Sequence, residues 1–299
     1  NYNTVVGDEA GTAITTGDWN TALGYLALAT EDTGSRATAL GTFALQYQNA
    51  GDVSTYNIGI GYAAGQAVTT GVQNTIIGGF AGDALTSGSY NVAMGFEALS
   101  TEDAHGNNVA IGNRALKTLN AGTAGLNTAV GDDAGASVTS GIRNTLVGSE
   151  AGDALQDADD NVAIGALALS GDTLGSKSVA IGRGALKVQN FTSATSTYNV
   201  AVGYSAGEGI TTGQYNTLIG GLAGDAITTG NRNVALGTSA MGTNILGSRS
   251  TALGTNALLA QNPATAVDMY NTAVGYSAGT AVTTGTNNTL IGGLAGDAF

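Results

Sequence analysis

The chain has 299 residues, of which 48 are glycine, one is proline, none is cysteine and 10% are charged. Glycine recurs too often to leave uninterrupted segments of helix length, so a mainly helical protein is disfavoured. The formal net charge of −13 argues against binding to nucleic acid or to an anionic membrane surface. The lack of cysteine excludes a disulfide framework and a thiolate metal site. No apolar run is long enough to cross a bilayer, so we expect no membrane insertion.

A short motif recurs from the first residues of the chain to the last. Seventeen segments align on the pattern Asn, β-branched residue, small residue, aliphatic residue, Gly, two variable residues, Ala. Asn opens fourteen of them, and every fourth segment carries a larger residue at the small position. The motif glycines are Gly7, Gly24, Gly41, Gly61, Gly78, Gly95, Gly112, Gly131, Gly148, Gly165, Gly182, Gly203, Gly220, Gly237, Gly254, Gly275 and Gly292. A unit of about 17 residues cannot bury its own apolar face, so each must be one coil of a stack.

Each motif predicts one short strand followed by a glycine bend. In the motif that contains Gly165, alternation puts Val162 and Ile164 on one face and Ala163 on the other. An aliphatic residue later in many coils, such as Val68, predicts a second strand on the opposite wall, and the coil then closes in a turn of the Thr-Thr-Gly type. We therefore expect an all-β fold, a parallel β-solenoid (β-roll) of about 17 stacked coils.

A slower period of four coils overlies the coil repeat. The superrepeats start near residues 3, 74, 144, 216 and 288. One coil type in each superrepeat is longer than the others and predicts a projecting loop. These loops are 47–56, 118–126, 188–198 and 259–270. We expect residues 1–299 to be a single continuous repeat domain and, because the repeat stops in mid-coil, a fragment of a longer fibre.

Parallel stacking places equivalent residues above one another in columns. An asparagine column can form hydrogen bonds along the stack, and the aliphatic strand residues are expected to fill the lumen. The strand alanines, such as Ala163, allow two interpretations. Either they make the lumen narrow, or they form an outer face that packs against other copies of the chain in a trimer. In the second case the bulky Leu or Ile of every fourth coil would plug the trimer axis.

Three segments carry a family resemblance: Asn91–Gly95, Asn108–Gly112 and Ser178–Gly182, each with alanine three residues further on. They resemble the head repeats of YadA-like trimeric autotransporter adhesins and similar repeats of bacteriophage tail fibres, although the adhesin coils are shorter. The resemblance covers essentially the whole chain. It implies a left-handed homotrimer with an extracellular location, on a cell surface or a virion, and a host or surface receptor such as a glycan.

Signals for catalysis are weak, and we expect no enzyme, no catalytic residue, no cofactor and no metal. The single histidine, His105, is interpreted as a solvated loop side chain. Acidic pairs such as Asp132-Asp133, Glu31-Asp32 and Glu102-Asp103 are interpreted as solvated turn charges rather than as paired catalytic carboxylates. Four aspartates at four-coil spacing are interpreted as turn caps rather than calcium ligands: Asp83, Asp153, Asp225 and Asp297.

Three tyrosines close three of the four projecting loops: Tyr56, Tyr198 and Tyr270. Repeated aromatic rings on a polar surface can stack on glycan rings, so these are the candidate surface-binding residues. The alternative is that each ring covers the step between a long coil and a short one. The tyrosines Tyr62, Tyr204 and Tyr276 mark the following coil in the same superrepeats.

The sequence as a whole predicts a structural and adhesive fibre shaft that mediates surface attachment and presents a tip or repeated loops. The alternative function is a polysaccharide-processing phage tailspike. A lesser alternative is an ice-binding β-solenoid, which threonine pairs such as Thr69-Thr70 suggest, but two of the four coil types interrupt the threonine column.

Overall fold

The structure is a computed structural model that describes residues 2–298, in which nineteen strands and no helix occur. The strands are β1 Thr4–Val6, β2 Thr21–Leu23, β3 Thr38–Leu40, β4 Ile58–Ile60, β5 Thr75–Ile77, β6 Val92–Met94, β7 Val109–Ile111, β8 Thr128–Val130, β9 Thr145–Val147, β10 Val162–Ile164, β11 Gly175–Ser176, β12 Val179–Ile181, β13 Thr195–Ser196, β14 Val200–Val202, β15 Thr217–Ile219, β16 Val234–Leu236, β17 Thr251–Leu253, β18 Thr272–Val274 and β19 Thr289–Ile291. Seventeen of them coincide with the seventeen sequence motifs, so the predicted all-β parallel β-solenoid of about 17 coils is confirmed. Within residues 2–298, then, nothing has the form of a bilayer-crossing helix.

The chain divides into two compact units, Asn1–Leu146 and Val147–Phe299. In the first unit β1 to β8 pair in parallel, each with the next and in register, so that Ala22 lies opposite Ala39. In the second unit β10, β12 and β14 to β19 pair in the same way. The prediction of one continuous domain over residues 1–299 stays a prediction.

The middle residue of each strand points into the coil, and its two neighbours point outward. Ala163 is completely buried within its own chain, whereas Ile164 is 37% exposed. The expectation that the aliphatic strand residues fill the lumen is therefore wrong, and so is the interpretation of the alanines as an outer trimer face. The lumen is narrow because its walls already carry a second alanine, three residues after each motif glycine, which is also buried.

The bulky strand residues of every fourth coil plug this lumen and not a trimer axis, which corrects the sequence prediction. Ile76 and Leu218 are completely buried. A Cβ atom added to Gly65 would lie 2.8 Å from Ile76 Cδ1, and one added to Gly207 or Gly224 would lie 2.8 Å from Leu218. The large side chains thus occupy the space that glycines in their own coil and the preceding coil leave empty.

The residues four and seven places after each motif glycine vary together along the chain. In nine coils the fourth residue after the motif glycine is glycine and the seventh is apolar; in the other eight the fourth is Leu or Met. In those eight the seventh residue is polar, with Leu119 as the exception. The polar ones are all fully buried: Glu31, Gln48, Glu102, Asp172, Gln189, Asn244 and Gln261. A leucine at the fourth position fills the volume that the apolar seventh residue fills elsewhere.

The predicted second strand on the opposite wall is not formed at the later aliphatic positions, such as Val68. Among the described residues the only further pairing, between β11 and β13 and at two isolated bridges, lies shortly before the next motif. The reason lies in the backbone, since residues of left-handed conformation alternate through this part of the coil, for example Ala63 with φ 54° and Gly65 with φ 60°. The backbone amides of this segment also alternate between acceptors in the same coil and acceptors in the next coil. Gln66 N–H donates to Ala63 O within the coil, and Gly65 N–H donates to Ala81 O in the next coil.

The asparagine ladder is confirmed as a hydrogen-bonded column. Asn74 Nδ2 donates to Gly88 O at 2.8 Å within its coil, while Asn74 Oδ1 accepts from the amide of Asn91 in the next coil at 2.9 Å. The motif glycines stack equally closely. Gly24 has φ 134°, and a Cβ there would lie 2.6 Å from the carbonyl carbon of Gly41. Each coil therefore fixes the spacing to its neighbour through backbone contacts that a side chain would disrupt.

Candidate functional site

The three tyrosines that the sequence singled out lie at the surface with about half of each side chain exposed: Tyr56, Tyr198 and Tyr270. Each has a left-handed backbone with φ 52° and directly precedes a ladder asparagine. Inserted residues of the loops are exposed as well, as at 122–124. The position of these rings on an outer wall of the coil fits the prediction of surface-exposed side chains, while ligand binding by them stays a prediction.

Each of these tyrosines has a cation from the preceding coil against its ring. The guanidinium carbon of Arg36 lies 5.7 Å from the ring centre of Tyr56, and Lys177 Nζ lies 5.4 Å from that of Tyr198. Lys177 Nζ also lies 3.4 Å from Tyr198 Oη. The guanidinium carbon of Arg249 lies 5.7 Å from the ring of Tyr270. Each of the three tyrosines is therefore one member of a cation–aromatic pair, and the sequence analysis did not predict the cations.

The residue that directly precedes the opening residue of each motif is aromatic or basic in twelve of seventeen coils. This regularity is visible in the sequence and would have found the cations. In the second unit we call the following six residues, from six successive coils, the cation–aromatic column: Lys177, Tyr198, Tyr215, Arg232, Arg249 and Tyr270.

The rings of the cation–aromatic column are held by stacking. Tyr198 and Tyr215 have ring centres 5.5 Å apart and planes only 17° from parallel. Arg232 closes the other face of Tyr215, with its guanidinium carbon 5.1 Å from the ring centre. The first unit has a shorter version, in which Tyr2 stacks on Trp19 at 5.8 Å and Arg36 covers Trp19 at 4.6 Å. Stacking between coils fixes the rings with their outer edges toward solvent.

The column lies in the least acidic part of the chain. Residues 177–270 contain five basic and three acidic residues, a net charge of +2, whereas the rest of the chain carries −15. Of the five basic residues, three belong to the column. Arg249 is held by Asp268, with 2.9 Å between Nε and Oδ1. Within the part of the chain that the structure describes, Lys177 and Arg232 form no ion pair with a carboxylate.

A second exposed aromatic ladder lies in the first unit, on a different wall of the coil. It consists of residues that follow the motif glycines by one or two positions: Tyr25, Phe43, Tyr62, Phe80 and Phe96. Successive rings meet edge to face, with centres 5.2 to 6.1 Å apart. Tyr62 belongs to this ladder, and Tyr204 pairs with Arg183 instead. The two sets of tyrosines that the sequence grouped together therefore occupy separate columns.

The acidic pairs fall into two kinds. Asp132 and Asp133 lie at the surface, where Asp132 accepts a hydrogen bond from Asn113 and Asp133 forms an ion pair with Arg114. Glu31 is completely buried, so its interpretation as a solvated turn charge is wrong. Asp32, the other member of this pair, is only partly buried.

Glu31 is the end of a directed hydrogen-bond chain. Its Oε1 accepts from the amide of Gly34 at 2.8 Å, and its Oε2 accepts from Gln48 Nε2 at 2.8 Å. Gln48 Oε1 in turn accepts from Asn57 Nδ2 at 2.8 Å. Loss of solvation on burial raises the pKa of Glu31, while the hydrogen bonds from Gln48 and Gly34 act in the opposite direction. Asp172 and Gln189 repeat this arrangement, with 2.5 Å between Oδ2 and Nε2.

Glu102 is also buried, and its setting corrects the interpretation of His105. Its Oε1 lies 3.1 Å from His105 Nδ1 and accepts from the amide of His105, so the histidine is a hydrogen-bonded side chain, only 25% exposed. Among the residues that the structure describes, none forms a hydrogen bond with the buried Glu102 Oε2, because Leu119 stands where other superrepeats place glutamine. Glu102, Asp103 and His105 bring potential metal-ligand atoms within 4.8 Å of one another. Their observed contacts are those of a capped turn, as at Glu31.

Of the four recurring aspartates, Asp83, Asp153 and Asp225 are partly buried and Asp297 is exposed. Burial is the main reason that the pKa of Asp225 is raised, and the nearby charge of Glu208 adds to it, while hydrogen bonds to backbone amides of Asp225 and Ala226 act against the shift. Asp83 behaves in the same way, with Glu97 as the neighbouring charge. These local amide contacts fit the interpretation as turn caps.

In two of the threonine pairs the hydroxyl of the first residue is directed along the stack rather than to solvent. Thr69 Oγ1 donates to Thr86 O at 3.1 Å, and Thr211 Oγ1 donates to Thr228 O at 3.3 Å. A face that orders water would need these hydroxyls free. The ice-binding alternative therefore gains nothing from the threonine geometry.

Comparison of the sequence with models of known protein families gave no match, and comparison with curated proteins gave none either. The fold itself defines the class, a parallel β-solenoid repeat protein with two kinds of exposed aromatic columns.

Proposed function

We propose that this chain is a structural and adhesive segment of an extracellular fibre, a shaft that mediates attachment to a surface. The observation that supports it best is the contrast between positions that repeat from coil to coil and exposed positions that vary. The motif glycine and the alanine three residues after it occur in all seventeen coils and asparagine in fourteen, whereas exposed positions vary and carry aromatic and basic side chains. Such a repeat places equivalent surface groups side by side in layer after layer, which suits many weak contacts acting together.

We propose further that the shaft is a homotrimer, as the resemblance to trimeric adhesin heads implies. The support is the outward face of the strands, where aliphatic side chains are left partly exposed, such as Leu236 at 47% and Leu23 at 43%. An extended apolar face of this kind is typical of a surface that packs against a partner. A second and third copy of this chain would cover it with the same residues, since the face repeats in every coil.

The test joins an assembly measurement to an attachment measurement. Sedimentation velocity with light scattering should give three chains per particle. Replacing Ile219 and Leu236 by glutamine should shift the particle toward a single chain, while replacing the exposed Thr212 and Thr229 by glutamine should not. Attachment of the labelled protein to bacterial or animal cell surfaces should exceed that of an unrelated acidic protein of equal size. A wild-type monomer that attaches to no surface would overturn the proposal.

A further inference from the structure

We infer that the cation–aromatic column binds an anionic polysaccharide, a chain of sugars that carry carboxylate or sulfate groups. The inference rests on the proposed attachment function and adds to it the chemical class of the ligand.

The first support is the linear arrangement of charge and rings. Lys177 and Arg232 bracket the stacked pair Tyr198 and Tyr215, with three coils, or about 14 Å, between the two cations. Arg249 lies one coil after Arg232, with its guanidinium carbon 5.7 Å from the ring centre of Tyr270. A ligand that lies along this line meets cationic groups at intervals, with phenol hydroxyls and ring edges between them. A linear acidic polysaccharide offers the matching sequence of anionic groups, hydroxyls and apolar C–H faces.

The second support is the state of the cations. Lys177 donates to Ser196 Oγ at 2.9 Å, and Arg232 lies against a ring; neither is neutralised by a carboxylate in the described part of the chain. A guanidinium group binds carboxylate or sulfate with two parallel hydrogen bonds. These groups stand in a segment of net charge +2 within a chain of −13. Five of the nine basic residues of the protein lie in that segment, so its positive charge is local.

The third support separates a polysaccharide from single-stranded nucleic acid. Proteins that bind single strands offer free ring faces on which bases stack. Here Tyr198 and Tyr215 stack on each other, Arg232 lies against Tyr215, and Lys177 Nζ lies beside the Tyr198 hydroxyl, so the stacked faces are occupied and the ring edges are left for a ligand. Edges and hydroxyl groups suit the hydroxyl-rich rim of a sugar chain.

The experiment compares two triple variants of the full chain. The column variant carries Lys177→Gln, Arg232→Gln and Arg249→Gln. The control variant carries Arg114→Gln, Arg183→Gln and Lys187→Gln, which makes the same change in net charge outside the column. Circular dichroism and sedimentation confirm that both fold and assemble as the wild type does. Binding is measured by biolayer interferometry to polygalacturonate, dextran sulfate, uncharged dextran and oligothymidylate of similar length.

The wild type should bind polygalacturonate, dextran sulfate or both, and the preferred one identifies the anionic group. The column variant should bind it at least about tenfold more weakly, the equivalent of one charge-assisted hydrogen bond. The control variant should stay within about twofold, since distant surface charges are screened at physiological salt. Uncharged dextran should not bind. A second variant, Tyr198→Leu with Tyr215→Leu, should weaken binding without changing net charge.

Three results would overturn the inference: no binding to either acidic polysaccharide, an equal loss in the control variant, or binding of oligothymidylate as tight as that of the polysaccharide. The last would make nucleic acid the ligand. Failure of this inference is distinguishable from failure of the proposed function. A wild-type trimer that attaches to cells but binds neither polysaccharide leaves the shaft function standing, whereas a monomer without attachment ends it whatever the polysaccharides show.

Discussion

Gln48 is the point at which the buried hydrogen-bond chain of the first unit can be broken most informatively. It is fully buried between Glu31 and Asn57 and forms a hydrogen bond with each at 2.8 Å. The change Gln48→Leu would remove the side-chain donor to Glu31 Oε2. This is the situation that Glu102 already has beside Leu119.

The expected cost follows from these contacts. Removing the donor to a buried charged acceptor costs about 1.5–3 kcal/mol, and the neutral hydrogen bond to Asn57 adds about 1 kcal/mol. Burying the leucine side chain recovers about 1–2 kcal/mol of this. We therefore expect Gln48→Leu to lower the free energy of unfolding by about 1–3 kcal/mol at pH 7.

The cost should depend on pH with a definite sign. Since burial raises the pKa of Glu31 in the folded state, the folded chain binds this proton more tightly than the unfolded chain. The stability that this tighter proton binding contributes is fully present below the ordinary carboxyl pKa, and it is lost as the pH rises through the pKa of Glu31 in the folded chain. Without the donor from Gln48 the folded pKa rises further, so the variant should lose more stability at pH 7 than at pH 4.

Guanidinium unfolding at pH 4 and pH 7 measures the difference, and hydrogen exchange of the Gly34 amide, which donates to Glu31, reports it locally. Adding Glu31→Gln to Gln48→Leu removes the buried charge, keeps the acceptor for Gly34, and should recover part of the loss at pH 7. The reasoning is refuted if Gln48→Leu costs the same at both pH values and Glu31→Gln recovers nothing.

Three further tests, which use five single substitutions, probe the lumen and the backbone ladder, all by denaturant unfolding at pH 7. Leu119→Gln should supply the missing donor to Glu102 and raise stability by about 1 kcal/mol; a loss of stability would contradict the role of Leu119 in leaving that oxygen unpaired. Leu218→Ala should cost about 2–5 kcal/mol because the cavity beside Gly207 and Gly224 cannot close, and Ala163→Leu should cost about 1–3 kcal/mol by overpacking a coil without such glycines. Tolerance of Ala163→Leu would show that this strand face is not the lumen. Gly24→Ala should be among the most damaging single changes, since it places a Cβ 2.6 Å from the backbone of Gly41 at φ 134°, while Gly51→Ala, where a Cβ meets nothing within 4 Å, should cost much less.

Parts of the candidate surface could be predicted from sequence and parts could not. The exposure of Tyr56, Tyr198 and Tyr270 followed from their place at the end of inserted loops. Their cation partners were missed because Arg36, Lys177 and Arg249 lie a whole coil earlier in the chain, at separations of 20 to 21 residues. Only stacking in register makes such residues neighbours. The residue type at the position before each asparagine was nevertheless a readable signal.

The burial of Glu31 and Glu102 could not be foreseen from composition, since acidic residues in glycine-rich turns are usually solvated. A relation between two positions of the coil indicates it: leucine at the fourth place after the motif glycine goes with a polar residue at the seventh. This relation has physical meaning only when both side chains are known to enter the same lumen.

By itself, the sequence determined the all-β class, the parallel stacking and the number of coils, because a repeat of fixed length can satisfy its backbone only by pairing each strand with the next. It also determined the glycine and asparagine ladders, whose residue types serve contacts between equivalent positions. Only the tertiary structure decided which face of each strand is inside. A three-residue alternation has two possible orientations, and the choice depends on how much volume the opposite wall leaves. Since that wall carries alanine and leucine, the small residue turns inward, and Val162 and Ile164 are left on the outside.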